Sequence, residues 1–447
     1  MVGRWSVMLI VTGMIGNSVE GAPCNNTYNE QAVREVLSGK RKVANAAWWG
    51  FQPEDTTECL KKAIDSGAET VLIPYVGRPW VTRPIRLRSH LKLVFEPGVV
   101  VLAKRGEFKG HGDCLFRARN ATDITLIGYG ATLRMWKRDY QKPPYEKAEW
   151  RMGLSFVGCR RVHVEGLRIE SSGGDGIYIG STEESPWCED VVIRNVTCFD
   201  NHRQGISVIS AQNLLIENCV LAGTWGTAPS AGIDLEPNGR DERLVNCVIR
   251  NCVMENNAGA GILLYLVGLS RDGQPVSILF ENCLVRMTES ADKAALPGEG
   301  GIVIGAITEG GPEGEVEFRH CVLENTGQAG VRIFDKSPDN ARLRFVNCSW
   351  KNPWQSEAET QEPFHAPILL HVRRVNLARM IGGIEFVDCA VYDTVNRPVL
   401  AVRQEAESLG VRDVRGQIVV HNPYGARMDL GSQAQNVTLQ LLTPDYR

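Results

Sequence analysis

Residues 201–238 read NHRQGISVISAQNLLIENCVLAGTWGTAPSAGIDLEPN and contain one full period of a repeat. The dipeptide Gly205-Ile206 begins one short apolar run, and Gly232-Ile233 begins the equivalent run 27 residues later. Between them, the apolar run Leu214–Ile216 is followed by the pair Asn218-Cys219. Short apolar segments separated by glycine and asparagine indicate β-strands joined by tight corners rather than helices.

Both signatures recur along the chain. Glycine followed by Ile or Val begins short apolar runs at Gly176, Gly205, Gly232, Gly261, Gly301 and Gly330. A polar residue followed by cysteine comes after other apolar runs, at Cys219, Cys252, Cys283, Cys321, Cys348 and Cys389. Self-similarity with a period of ~20–50 residues is typical of solenoids, and strand-length segments make this one a β-solenoid. The longest interval, between Gly261 and Gly301, predicts a loop insertion at about residues 268–298.

Stacking of equivalent coils at ~4.8 Å predicts the role of each repeated position. The residue after each glycine is expected to point inward in one column, and the six cysteines in another, because a free thiol packs as a small hydrophobe. The residue before each cysteine is expected to take the left-handed conformation and to join a hydrogen-bond ladder of side chains. The chain has 13 cysteines, an odd number. Two disulfides are predicted, Cys24–Cys59 first and Cys188–Cys198 second.

The N-terminal region has two predicted parts. Residues 1–21 have the basic start (Arg4), the apolar run (7–15) and the small residues of a signal peptide, which predicts a secreted or periplasmic protein. No stretch reaches the ~18 apolar residues that a bilayer requires, so we expect no membrane span. Residues 55–66 are predicted to form a helix, capped by Asp55, that covers the open end of the solenoid. The predicted boundaries are 22–90 for the N-terminal cap and first strands, 91–400 for the parallel β-helix and 401–447 for C-terminal strands or cap.

Net charge excludes one class of partner. The sequence has 49 Lys and Arg residues against 52 Asp and Glu residues, a formal net charge of −3. Nucleic-acid-binding proteins normally carry a strong basic excess, so we expect no nucleic-acid partner.

Alternation along each strand predicts which residues face outward. If Ile177 and its equivalents point inward, one outer column contains Tyr178, Ser207, Asp234, Leu263, Val303 and Arg332, and the next contains Gly180, Ile209, Glu236, Tyr265, Gly305 and Phe334. Asp234 and Glu236 then have backbones ~6.5–7 Å apart, with Asp175 on the order of 10 Å away. Crowding raises the pKa of one carboxyl group, as the general acid of a glycosidase requires. We therefore predict that Asp175, Asp234 and Glu236 are catalytic.

The polar and aromatic side chains around these acids are predicted to bind substrate: Tyr178, His202, Arg203, Gln204, Asn238, Tyr265 and Trp225. Residues 135–151, rich in Arg, Lys, Trp and Tyr, are either a solvated loop or a groove wall that favours an acidic polysaccharide. No cofactor or metal is predicted, because no compact ligand set occurs at a recognisable spacing. Structural roles compete at the same positions, with Asp175 or His202 as corner residues and the acids at 234 and 236 as solubilising charges.

Several segments resemble a known superfamily: Asp55-Thr56-Thr57, the strand Ala68–Pro74 (AETVLIP), the turn Phe95–Gly98 (FEPG) and the coils themselves. They resemble the right-handed parallel β-helices of the pectate-lyase-like superfamily, over about residues 45–350. The resemblance implies an all-β chain folded as a right-handed parallel β-helix with an N-terminal capping helix. It does not define the reaction, because that superfamily contains hydrolases, lyases, epimerases, esterases and phage tailspikes.

Two further resemblances concern the reaction. Asp175-Gly176-Ile177 resembles the Asn-Thr-Asp-Gly-Ile motif of polygalacturonase-type glycoside hydrolases, in which the Asp is catalytic. The consecutive Asp-Asp of that family is replaced by Arg203-Gln204, and its Gly-His-Gly by Ser230-Ala231-Gly232. Residues 201–205 (NHRQG) resemble the Asn-Asp-Arg-His-Gly pattern of alginate C5-epimerases, but the sequence lacks their Asp-Pro-His motif.

The sequence thus predicts an exported glycoside hydrolase that cleaves a glycosidic bond in a polysaccharide or oligosaccharide with paired carboxylates on the outer face of the β-helix. One alternative is a polysaccharide lyase or uronate C5-epimerase on the same fold, with Arg203 or His202 near the abstracted proton. Another alternative is a non-catalytic glycan-binding β-helix protein.

Overall fold

The structure is a computed structural model that describes residues 28–286, 300–354, 365–373, 378–404 and 410–444. Within these ranges the strands stack in parallel, coil upon coil, as three sheets around one hydrophobic core. The solenoid architecture predicted from the repeat is therefore confirmed. The predicted signal peptide (1–21) and Cys24 lie outside the described residues, so export stays a prediction.

Sheet 1 contributes one strand per coil and contains 12 strands. The Gly-Ile and Gly-Val runs of the sequence belong to this sheet. Its strands are Ile85–Leu87, Phe116–Arg119, Leu154–Val157, Ile177–Gly180, Gln204–Val208, Ala231–Leu235, Ile262–Tyr265, Ile302–Ile307, Val331–Lys336, Ile368–Val372, Leu400–Gln404 and Met428–Asp429.

Sheets 2 and 3 take the two strands between successive sheet 1 strands. Sheet 2 contains Val43–Asn45, Thr70–Ile73, Leu91–Phe95, Thr122–Ile127, Arg160–Glu165, Cys188–Arg194, Ala211–Glu217, Leu244–Arg250, Val276–Glu281, Gly314–Arg319 and Arg342–Val346. Sheet 3 contains Trp80–Thr82, Val100–Ala103, Thr132–Arg134, Arg168–Glu170, Thr197–Phe199, Val220–Ala222, Val253–Glu255, Leu284–Arg286, Val322–Glu324 and Ser349–Lys351. The two sheets merge in three long strands, Met380–Tyr392, Gly410–His421 and Ala434–Leu442.

Helices are confined to the N-terminal part and one loop of the described chain. The α-helices are Glu30–Leu37 and Thr57–Asp65, and the 3-10 helices are Ala46–Trp49 and Asp139–Gln141. The second α-helix was predicted; it buries Cys59, Leu60, Ala63 and Ile64, and the Asp55 carboxylate accepts the Thr57 N–H. This helix packs against the first 3-10 helix and the first strand of sheet 1. Within the described ranges, no helix is long and apolar enough to cross a membrane.

The inward column of sheet 1 has the register that the sequence predicted. Ile177 pairs with Ile206, which pairs with Ile233, and the column continues through Ile262, Ile302 and Val331. All six side chains are fully buried. A second ladder lies under sheet 2, where the rings of Phe280, Phe318, Phe345 and Phe386 stack at 5.0–5.3 Å.

The cysteine column is also confirmed. The thiols of Cys219, Cys252, Cys283, Cys321, Cys348 and Cys389 are free, each is only 1% exposed, and each donates to the carbonyl two residues before it. The residues that precede them have φ between +50° and +56°. One rung of the predicted ladder is formed, from Asn282 Nδ2 to Asn251 Oδ1 at 3.4 Å.

One prediction about these regions was wrong, one was wrong in part, and one involves a cysteine outside the described residues. Cys188 and Cys198 do not form a disulfide, because Cys188 begins a sheet 2 strand, Cys198 lies in sheet 3, and both thiols are buried and free. Cys59 is also free, and its predicted partner lies outside the described residues. The loop insertion at 268–298 is wrong over residues 276–286, which form regular strands of sheets 2 and 3; residues 287–299 lie outside the described residues.

At the start of the Gly-Ile and Gly-Val strands of sheet 1, glycine is required by the closeness of the coils. A Cβ atom on Gly205 would lie 2.4 Å from the carbonyl oxygen of Gly232 in the next coil. Real Cβ atoms do not approach backbone oxygen so closely, so any other residue must push two coils apart.

We predict that Gly205→Ala lowers the free energy of unfolding by about 1–3 kcal/mol, the usual effect of overpacking a rigid site. Gly310→Ala is the matched control, because a Cβ atom there meets no atom within 4 Å. Thermal unfolding followed by circular dichroism measures both variants. Equal unfolding midpoints for the two variants would contradict the steric role of Gly205.

Candidate active site

A cavity of about 450 Å³ opens on the outer face of sheet 1. It lies over the coils that contribute the strands Phe116–Arg119, Leu154–Val157, Ile177–Gly180 and Gln204–Val208, with one wall from the loop before residue 152. Its lining is polar and charged on one side and aromatic on the other. The lining residues are Arg117, Arg119, Glu149, Trp150, Met152, Ser155, Val157, Tyr178, Arg203, Ile209, Glu236 and Asn238.

The floor of the cavity follows one outer column of sheet 1. Ser155 pairs with Tyr178, Tyr178 with Ser207, and Ser207 with Asp234. This is the column that strand alternation predicted, so Asp234 is on the outer face, one coil from Ser207 and two coils from Tyr178. Four carboxyl groups then gather around one cation at the foot of the cavity.

Arg203 is that cation, and its guanidinium is only 15% exposed. Nη2 lies 3.4 Å from Glu236 Oε2, Nη1 lies 3.9 Å from Asp175 Oδ2, and Nε lies 3.9 Å from Glu149 Oε1. The contacts at 3.9 Å are longer than hydrogen bonds, so the arginine attracts these groups through charge without being locked to one. Arg203 therefore holds three carboxyl groups from three separate segments within a single site.

Asp175 is completely buried beneath Arg203. Burial raises the pKa of Asp175 to about 7, and the Arg203 charge and the Ser207 hydroxyl oppose this shift without cancelling it. A carboxyl group in water ionises near pH ~4, so this side chain retains its proton over several further pH units.

Asp234 and Glu236 form a carboxyl pair. Asp234 is completely buried, and burial followed by the Glu236 charge raises its pKa well above the ordinary value. Gln204 Nε2 donates to Asp234 Oδ2 at 2.9 Å, and Gln204 Oε1 accepts the Ala231 N–H. Glu236 is 29% exposed and lines the cavity, so the pair extends from the protein interior to solvent.

Glu149 supplies a second accessible carboxylate from the opposite wall. It is 34% exposed, and Thr227 Oγ1 donates to its Oε2 at 2.9 Å. The loop that carries Glu149 is anchored by the buried Arg151, which donates to the carbonyl oxygens of Phe108, Lys109, Glu146 and Ala148. Of the two sequence interpretations of residues 135–151, the groove wall applies to Glu149 and Trp150.

The predicted site residues divide into two groups. Tyr178, Arg203, Glu236 and Asn238 line the cavity, and burial raises the pKa of Tyr178 to about 12. The other predicted substrate-binding residues, His202, Gln204, Tyr265 and Trp225, do not line it.

Each residue of the second group has a structural position that explains its absence from the cavity. Gln204 is completely buried behind Asp234. His202 is 8% exposed at the corner before sheet 1, where burial and the Lys137 charge lower its pKa to about 4. Trp225 lies at the next corner, where its ring faces Lys137 Nζ at 4.2 Å and its Nε1 donates to Asp200. Tyr265 lies beyond Asp234 along the solenoid and packs against Phe334.

Arg117, Arg119, Glu149 and Ser155 were missed by the sequence analysis. Arg117 pairs with Ser155, and Ser155 with Tyr178, so extending the outer column upstream would have found two of them. Their coils lack the Gly-Ile signature from which the column was counted. Glu149 lies in a loop outside the repeat, so the repeat carried no signal for it.

A larger cavity of about 590 Å³ lies against the C-terminal coils of sheet 2. Its acids and bases neutralise one another, since Glu385 pairs with both Arg344 and Arg415 at 2.8 and 3.1 Å. This compensation leaves a solvated ion-pair network, whereas at the sheet 1 cavity four carboxyl groups surround Arg203. Across the described ranges, no group of three or more His, Cys, Asp or Glu side chains is arranged to hold a metal ion.

Comparison with known proteins finds a family model that matches the central coils. Residues 148–286 match the family model "Right handed beta helix region". Over 252 residues the chain is 24% identical to "Uncharacterized protein YclG" of Bacillus subtilis (strain 168), a match that covers 49% of this chain and 43% of that protein. The match therefore spans less than half the length of this relative.

Solved structures are similar over nearly the whole chain. The family 28 exopolygalacturonase of Yersinia enterocolitica is 13% identical, with a TM-score of 0.58 and coverage of 89% of this chain and 78% of that chain. The A-module of the mannuronan C-5 epimerase AlgE4 of Azotobacter vinelandii is 14% identical, with a TM-score of 0.53 and coverage of 90% and 98%. At such low identity the similarity shows the fold alone. The right-handed parallel β-helix predicted from the sequence is confirmed, and this chain shares that fold with carbohydrate-active proteins.

Proposed function

We propose that the chain is a carbohydrate-active enzyme that hydrolyses a glycosidic bond in the sheet 1 cavity. The observation that carries the proposal is the placement of Asp234 and Glu236 two residues apart on one coil, with Asp234 buried and Glu236 open to the cavity. A glycosidase needs a carboxyl group that keeps a proton near neutral pH and a second carboxylate across the scissile bond.

Glu236 supplies the general acid in this proposal. The pair holds one proton because two carboxylates in contact cannot both be ionised at low cost. Asp234 keeps the proton available from the buried side, and Glu236 transfers it to the glycosidic oxygen as the bond to the anomeric carbon breaks.

Glu149 acts as the general base in the same step. It takes a proton from a water molecule while the water oxygen forms its bond to the anomeric carbon, so that one water is consumed and two hydroxyl groups are produced. Glu149 and Glu236 contact the same guanidinium at 3.9 and 3.4 Å. Two carboxylates that flank one guanidinium can also flank one glycosidic bond, for which glycosidases use a separation of ~5–9.5 Å between the two carboxyl groups.

The rest of the lining suits a sugar. Trp150 is 48% exposed and offers a ring face for stacking, and Tyr178 and Asn238 offer hydrogen-bonding groups. Arg117 and Arg119 stand at the same end of the cavity and favour a substrate with carboxylate groups, because guanidinium groups bind carboxylates with two parallel hydrogen bonds.

The same arginines favour one second candidate, β-elimination or C5-epimerisation of a uronate. Neutralising the substrate carboxylate acidifies the neighbouring C–H, and one of the cavity carboxylates would then accept that proton. Elimination breaks the glycosidic bond without consuming water and leaves a carbon–carbon double bond in the product.

Product analysis distinguishes these reactions. The purified chain is incubated with a panel of acidic and neutral polysaccharides, and reducing ends and unsaturated uronates are measured separately. Hydrolysis predicts new reducing ends without unsaturated product. Reducing ends that rise together with ultraviolet absorbance of unsaturated uronates would replace hydrolysis by elimination.

We predict that Glu236→Gln and Glu149→Gln each lower kcat by about 10²–10⁴-fold, because each removes a proton-transfer group without changing its shape. Both groups are partly exposed, so the thermal unfolding midpoint should change little. Glu255→Gln is the control, since its carboxylate pairs with Arg286 on sheet 3. Full activity in either cavity variant would remove that residue from the mechanism.

The proton on Asp175 predicts a pH dependence of stability. An unfolded Asp ionises near pH ~4, whereas the folded group has a pKa of about 7. Between these values the folded chain binds a proton that the unfolded chain has released, so this residue makes stability fall as pH rises from about 4 to about 7. The unfolding midpoint of Asp175→Asn should therefore fall less over that interval than the midpoint of the wild type.

The control for this experiment is Asp429→Asn, which changes an exposed carboxylate on the last sheet 1 strand. Its midpoint should follow the wild type across the same pH series. If the wild type and Asp175→Asn give parallel curves between pH 4 and pH 7, Asp175 is ionised in the folded chain and the assignment of its proton is wrong.

A further inference from the structure

A second cavity of about 520 Å³ lies next to the candidate active site, at the corner where sheet 1 strands turn into sheet 2. Two loops form it, one before the strand Cys188–Arg194 and one before the strand Leu244–Arg250, with a third contribution from residues 270–274. The proposed hydrolysis uses none of its residues.

The half-buried ring of Trp187 lines this cavity. The Arg243 guanidinium lies over the ring, 3.5 Å from its centroid, and Arg243 Nη1 donates to Gln212 Oε1 at 3.1 Å. The contact fixes the indole orientation, because the arginine is itself held at its far end. A tryptophan whose rotamer is already fixed loses little entropy when a ligand binds.

A rigid turn joins the two cavities. Asn238 lines the active-site cavity, whereas residues 240–243 line the second one. The Glu242 carboxylate holds the turn by accepting the Gly239 N–H at 2.9 Å and the Ser181 hydroxyl at 2.6 Å. On the opposite side, Arg119 of the first cavity lies 3.7 Å from Glu184, in the loop that leads to Trp187. The turn at residues 238–243 therefore contributes lining residues to both cavities, which makes them neighbours across the corner.

The chemistry of the second cavity fits a sugar unit bound through its hydroxyl groups. Two cations, Arg240 and Arg243, alternate with three acids, Asp241, Glu242 and Asp272, so neither sign dominates. Interspersed donors and acceptors match neighbouring sugar hydroxyls, and an indole ring matches the apolar face of a pyranose. An arginine cluster without acids would be expected for a phosphate or a polyanion.

We propose that this second cavity is a distal subsite for a polymeric glycan, and that the substrate is a chain long enough to extend from the sheet 1 cavity across the Glu242 turn to Trp187. The inference rests on the proposed function, because it takes the sheet 1 cavity as the place of reaction. Trp187 binds one sugar ring of the chain and takes no part in proton transfer.

Binding is tested apart from catalysis. The double variant Glu236→Gln, Glu149→Gln, which should not cleave the matrix, is run through native gels containing polygalacturonate, alginate or dextran. At least one polymer should retard it. Adding Trp187→Ala should raise the apparent Kd for that polymer by roughly threefold to tenfold, the effect of losing one aromatic contact. Tyr424→Ala is the control, because Tyr424 is 60% exposed on a distant C-terminal loop; it should leave retardation unchanged.

Asp272→Ala guards against a folding artefact, because this exposed carboxylate lines the same cavity without packing against Trp187. It should weaken retardation by the same polymer while leaving the unfolding midpoint unchanged. Unchanged retardation in both Trp187→Ala and Asp272→Ala would overturn the subsite. Failure of all three polymers to retard the double variant would overturn it as well.

The kinetic measurement uses the otherwise unmodified chain with a polymer and its di- or trisaccharide. Trp187→Ala should raise KM for the polymer with kcat unchanged, and should leave kcat/KM for the short substrate unaffected, since a short substrate cannot reach across the turn. Equal losses on both substrates would contradict a distal subsite. Retardation that depends on Trp187, in a chain that releases no product from any glycan, would instead refute the proposed hydrolysis and support the subsite.

Discussion

The in-register pairing of sheet 1 is the constraint on which the site depends. Gly205 and its equivalents let consecutive coils approach until no Cβ atom fits between them, and Ile206 and Ile233 pair directly inside. Since side chains alternate, fixing the inward residue of each strand also fixes the outward one. A slip by one residue would bury Tyr178 in the core and expose Ile177. The packing that stabilises the fold therefore also brings Tyr178, Ser207 and Asp234 into one column.

Four carboxyl groups, from this column and from its neighbouring segments, surround Arg203, more than one arginine can neutralise. Asp175 and Asp234 are completely buried, and burial is the first cause of the raised pKa of each. Burial of a carboxylate without a full counter-charge is unfavourable in free energy, so the buried group keeps its proton to a higher pH. The folded chain thus favours the protonated form of Asp175 and Asp234 beside the cavity. This preference comes from the surrounding packing, which buries the two carboxyl groups. Stability and acid chemistry share one cause here.

Sequence periodicity predicted what the repeat controls. It gave the inward isoleucines, the free thiols and the outer column with Asp234, because each depends on one residue type recurring at one coil position. It failed for Gln204, which the coil places under Asp234, and for Trp225, which a corner turns toward Lys137. The orientation of a corner side chain depends on contacts with segments that are distant in the sequence. The sequence repeat contains no information about those contacts. Glu149 was missed for the same reason, although it lies 3.9 Å from Arg203.

The wall that carries Glu149 shows how a segment outside the repeat acquires a defined position. The buried Arg151 guanidinium donates to the backbone carbonyl oxygens of Phe108 at 2.8 Å and Glu146 at 2.7 Å. It therefore holds the backbone of this loop in place. Thr227 then fixes the Glu149 carboxylate at 2.9 Å, and it does so from the corner that leads into the strand of Asp234. Glu149 and Glu236, the two groups of the proposed reaction, are therefore both positioned by the coil that contains Thr227 and the strand of Asp234. The distance between Glu149 and Glu236 therefore depends on the geometry of that coil more than on the loop. In the proposed reaction, this is how a base on an exposed wall would be held in position for proton transfer.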